Sequence, residues 1–130
     1  MFKTYLLTFT TTLTFNYSSL GLHIENFLKA QNPSITITSL SKGISNGYST
    51  SKNIFKLSFI TSENTINFTA NDIILYNAEI ISFSGKNNTY NAKFKILNKG
   101  IATVEVYGYS FTDSEGNFNK GSEQFTIFKD

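Results

Sequence analysis

In the stretch Phe55-Lys56-Leu57-Ser58-Phe59, apolar and polar side chains strictly alternate. A strand points successive side chains to opposite faces, so this run has one oily face and one wet face only as a half-buried strand, and a second layer must cover the oily one. Runs suited to strands recur at residues 35–38, 72–76, 79–84, 90–97, 101–107 and 124–128. Between them lie residues with turn chemistry: Ser84-Gly85-Lys86-Asn87-Asn88, Asn98-Lys99-Gly100 and Asp113-Ser114-Glu115-Gly116-Asn117. The Ser/Gly/Asn-rich segment 41–53 reads as a loop. About seven short strands separated by turns every 8–12 residues or so predict an all-β, antiparallel sandwich.

A chain of 130 residues suits one domain, which at this size buries roughly two thirds of its unfolded surface. There is no cysteine, so packing must hold the fold, and the 13 Phe and 7 Tyr suit a pleated surface. The formal charge is only +2 and every basic residue is a lysine, spread along the sequence. No field is focused and no arginine is present to make the bidentate guanine contact, which argues against nucleic acid as a partner. The apolar start Tyr5-Leu6-Leu7 is broken by Thr8, Thr10, Thr11, Thr12 and Thr14, and no run approaches the roughly 20 apolar residues of a membrane helix. A soluble chain without a membrane partner is expected.

Residues 1–32 differ from the rest and read as a strand and helix extension, with the sandwich at residues 33–130. Thr/Phe/Leu alternation over residues 8–15 suits one or two strands, whose Thr8, Phe9, Leu13 and Phe15 are candidates for adding to a partner's sheet edge. Ser18 or Ser19 can cap a short helix with Leu20, Ile24, Phe27 and Leu28 near one face, ending before Asn32-Pro33. Those four residues are the candidate anchor, and both chain ends are expected to be tied down by packing, against copies of the chain or a larger assembly.

Sites for chemistry are scarce. His23 is the only histidine, which rules out a multi-histidine metal site, and its place beside Leu22 and Ile24 favours a contact role over general-base work. Asp113, Glu115 and Asn117 offer oxygen ligands of the kind calcium takes, but calcium usually needs about 6–8 oxygens. The competing reading is a tight turn in which Asp113 bonds its own loop and Gly116 supplies a positive φ. No catalytic residue, cofactor site or firm metal site emerges. Tyr48, Tyr76, Tyr90, Tyr107 and Tyr109 can stack on sugars, yet in strands and loops such residues are expected to pack half-buried. The glycines lie at strand ends, without the strand-to-helix placement of a phosphate loop.

From Pro33 onward a succession of segments runs Pro33-Ser34-Ile35-Thr36-Ile37-Thr38, the strand 55–59 and Asn67-Phe68-Thr69-Ala70-Asn71-Asp72-Ile73. It continues through Phe83-Ser84-Gly85, Tyr90-Asn91-Ala92-Lys93-Phe94, Gly100-Ile101-Ala102-Thr103-Val104-Glu105-Val106 and Phe111-Thr112-Asp113-Ser114-Glu115-Gly116-Asn117. In that order they resemble a single bacterial immunoglobulin-like repeat, of the type found in surface adhesins and on phage structural proteins. The resemblance implies an immunoglobulin-like sandwich and a role in adhesion, spacing or decoration. The expectation is a non-enzymatic virion component of a phage, a capsid or tail decoration protein whose partners are capsid or tail proteins or copies of itself. Its loops would face outward for weak contact with host surface glycans. A cell-surface or secreted adhesion module is the alternative.

Overall fold

The computed structural model describes residues 32–130. The strand and helix expected within residues 1–32, with Thr8, Phe9, Leu13, Phe15, Leu20, Ile24, Phe27 and Leu28, and the lone His23, lie outside the described residues.

The described chain is a two-sheet β-sandwich. Its strands are β1 (Ile35–Ser39), β2 (Tyr48–Thr50), β3 (Ile54–Thr65), β4 (Ile73–Tyr76), β5 (Ala78–Ile96), β6 (Gly100–Val106) and β7 (Phe125–Lys129), with one 3-10 turn at Ala70–Asp72 before β4. One sheet has the order β1-β3-β5 and the other β2-β7-β6-β4. All pairings are antiparallel except β2 with β7, which is parallel.

β5 folds back on itself. A straight strand of its 19 residues would span about 60 Å, yet its ends meet, with the Leu97 amide donating to the Asn77 carbonyl at 3.1 Å. The chain reverses between Gly85 and Thr89, with Asn87 at φ 61°, and Gly85 packs so closely across the turn that an added Cβ would collide with the Thr89 carbonyl oxygen and the Tyr90 Cα. Gly85 also takes φ 139°, so only glycine fits here. β5 is therefore a hairpin: its second limb pairs with β3 and its first limb forms the sheet's outer edge.

The core follows from the alternation. Phe55, Leu57 and Phe59 of β3 pair with Phe94, Ala92 and Tyr90 of β5, and all six are buried. Val104, Val106 and Ala102 of β6, with Phe125 and Ile127 of β7, cover them from the opposite sheet. Phe55 and Phe94 stack at 5.3 Å. Phe68, in the connection before β4, touches four aromatic rings: Phe111 at 4.9 Å, Tyr90 at 5.0 Å, Phe83 at 5.7 Å and Phe59 at 6.0 Å.

Three sequence expectations change. The loop expected at 41–53 contains β2, which alternation could not reveal because its three residues are held by pairing with the distant β7. β3 runs six residues past Phe59, to Thr65. Three lysines far apart in sequence share one face: Lys56 of β3 is the direct partner of Lys93 of β5, and Lys95 follows on the same side.

Candidate interaction surface

Three connections meet at one end of the sandwich: residues 66–72 between β3 and β4, the β5 bend, and the long segment 107–124 between β6 and β7. Side chains stitch them together. Asn67 accepts from the Thr112 amide through Oδ1 at 2.9 Å and donates through Nδ2 to the Thr112 hydroxyl at 3.1 Å. The Ser114 amide donates to the Asn64 carbonyl at 3.1 Å. At the β5 bend the Tyr90 hydroxyl meets Thr65 Oγ1 at 2.7 Å and donates to the Asn87 carbonyl at 3.2 Å.

Asn119 organises the long segment. Its side chain is 1% exposed and makes four hydrogen bonds. Oδ1 accepts from the amides of Ser110 at 2.7 Å and Phe111 at 2.9 Å, and Nδ2 donates to the carbonyls of Tyr107 and Lys120, each at 2.9 Å. A buried amide fully satisfied in this way fixes its loop, because any other path leaves polar groups dry and unpaired. Asn119 was not legible in the sequence: Asn117 and Asn119 look alike locally, and only the distant partners 107 and 110 separate them.

Asp113 builds the tip below it. The residue is 5% exposed. Oδ1 accepts from the amides of Glu115 and Asn117, both at 2.9 Å, and Oδ2 accepts from the Asn117 side-chain amide at 3.0 Å. Gly116 takes φ 89°. Burial pushes the Asp113 carboxyl up, but the hydrogen bonds from the Asn117 side chain and from the Asn117, Glu115 and Gly116 backbone outweigh it and hold it below the usual carboxylate value. Of the calcium candidates Asp113, Glu115 and Asn117, the first and last meet through an amide N–H directed at the carboxylate, an arrangement that serves the turn rather than a cation. Among the described residues no three His, Cys, Asp or Glu side chains gather in a metal-binding group.

This stiff frame presents aromatic and aliphatic side chains to solvent. Tyr109 and Ile66 are each 76% exposed and Phe118 is 47% exposed. The rings of Tyr109 and Phe118 lie 5.6 Å apart at 49°. Tyr109 has φ 62°, a left-handed backbone that a bulky residue rarely adopts, and the Asn119 carbonyl holds it there by accepting from its amide at 3.0 Å. Strain maintained at an exposed aromatic residue is a recurrent mark of functional surface. Of the five tyrosines expected to pack, only Tyr90 is buried; Tyr48, Tyr76, Tyr107 and Tyr109 are exposed.

Among the described residues no helix is long and apolar enough to cross a membrane. No protein-family model, curated protein or solved structure matches the chain.

Proposed function

We propose that this chain is a non-enzymatic interaction module, an immunoglobulin-like domain that decorates a phage virion, with recognition at the end of the sandwich carrying Tyr109, Phe118 and Ile66. The immunoglobulin-like assignment is supported by strand order. Counting the two limbs of β5 separately, the first sheet runs β1, β3, second limb, first limb, as strands A, B, E and D do in that fold, and β7-β6-β4 matches G-F-C. β2 then corresponds to an extra strand alongside G.

The observation that carries the binding role is the combination of a rigid frame with exposed rings. A loop fixed by Asn119 and Asp113 presents rings without the ordering cost that a mobile loop meets on binding. The polar side chains most able to do chemistry at this end are already engaged in holding it together. Anchoring to the particle falls to residues 1–32, and the partner class is capsid or tail protein, with host surface glycans contacted through the loop end.

The test is fractionation of the source culture into virions, cell envelope and free protein, with the chain located by antibody. Recovery in virions is expected. Recovery in the envelope fraction, or as free protein in the medium, would overturn this reading in favour of the cell-surface or secreted adhesion module. Within virions, replacing Tyr109 and Phe118 by Ser is expected to leave incorporation and melting unchanged while weakening host attachment.

A further inference from the structure

Lys56 and Lys93 stand directly opposite each other across β3 and β5. Phe55, Leu57, Ala92 and Phe94 beside them are buried, so both lysines leave the sandwich on its outer face. Like charges directly opposed in an antiparallel pair weaken the sheet. Lys95 is on the same face, where the Asn77–Leu97 bond at the base of the hairpin sets Glu79 of the first limb across from it. The Lys56 amide donates to Ser41 Oγ at 2.8 Å, next to Lys42 in sequence. Lys52 Nζ in turn reaches the Lys42 carbonyl at 2.6 Å.

A shallow pocket of ≈ 170 Å³ lies between Lys56 and Lys93. Its other polar lining is Ser82, Ser84 and Asn91, each with a hydroxyl or amide donor, and no carboxylate lines it. We propose that this pocket binds an oxyanion, a carboxylate, sulfate or phosphate group carried on an acidic polysaccharide. An anion seated between the two ammonium groups converts their repulsion into two attractions, while the hydroxyl and amide donors complete its coordination. Nucleic acid fits less well. Single strands are held by stacking on aromatic side chains, and none lines this pocket. The pocket shares no lining residue with Tyr109, Phe118 or Ile66 and stands whether or not those residues form a recognition surface.

The test is amide NMR on the full chain, titrated at constant ionic strength with sodium sulfate, a sulfated hexuronate oligosaccharide, a neutral oligosaccharide and oligothymidylate. Saturable shifts at Ser82, Asn91 and Lys93 are expected with sulfate, with about tenfold tighter binding of the sulfated oligosaccharide and no response to the neutral one. Lys56→Gln and Lys93→Gln are each expected to weaken binding at least threefold or so, with Lys129→Gln on β7 as an unaffected control. Because Lys93→Gln removes the repulsion, the anion-free variant is expected to melt no lower than the parent, which separates a lost site from a lost fold. Equal weakening by Lys129→Gln would reduce the effect to diffuse charge and overturn the proposal. Saturation by sulfate alone would overturn the polysaccharide, and tighter binding of oligothymidylate would replace it with nucleic acid.

Discussion

Asn119 and Asp113 illustrate two ways in which a polar residue becomes structural. Asn119 offers two acceptor sites and two donors and uses all four on backbone groups. Asn119→Ala strands two amides and two carbonyls near the core, and it is expected to cost about 2–4 kcal/mol, read from the urea midpoint. Asp113 works through charge. Its folded pKa lies below that of the unfolded chain, so its contribution is complete above the ordinary carboxylate range and is lost as pH falls through the lowered folded value. Thermal melts from neutral to strongly acid pH are expected to show this loss, and Asp113→Asn should be less stable at neutral pH with a flatter acid limb. An unchanged acid limb would contradict the assignment. The turn role of Asp113 and Gly116 was readable from their local sequence, whereas that of Asn119 was not, because its partners are set by the fold.

At the scale of elements, β3, β6 and β7 were legible because alternation and burial coincide: in Phe55-Lys56-Leu57-Ser58-Phe59 and Ala102-Thr103-Val104-Glu105-Val106 the buried residues fall at every second position. Ser58 is the exception, a buried polar side chain on the outward face. The β5 hairpin was legible only in pieces. Its two limbs read as separate strands, and residues 84–88 read as a loop although they continue the element. Gly85 packs closely across the turn, so Gly85→Ala, which sets a Cβ against the Thr89 carbonyl and the Tyr90 Cα, is expected to cost at least ~2 kcal/mol. Thermal denaturation would check this, and a neutral result would mean that the bend relaxes freely. β2 was invisible for a different reason. Tyr48-Ser49-Thr50 has no apolar period, and its place comes from β7, almost eighty residues away.

Across the whole molecule, one aromatic core joins the sheets to the loop end that they support. Phe68 links the rings of β3 and β5 to Phe111 of the long β6–β7 connection. Phe68→Ala is expected to cost about 3–5 kcal/mol in global unfolding, and to loosen the Tyr109 loop at the same time, visible as faster amide exchange at Ser110 and Phe111. The fold class was written along the chain because each strand carries its own period. The lysine face and the exposed loop end were not, since strand pairing brings Lys56 to Lys93, and the Asn67–Thr112 bonds with the Phe68–Phe111 contact bring two distant connections together. The sandwich is expected to fold through its own core, with residues 1–32 as the proposed anchor. The direct test is to express residues 32–130 and compare its melt and its co-sedimentation with source virions against those of the full chain. A cooperative melt with loss of virion binding is the predicted result, and a chain that no longer folds would place the first 31 residues inside the core and contradict the account.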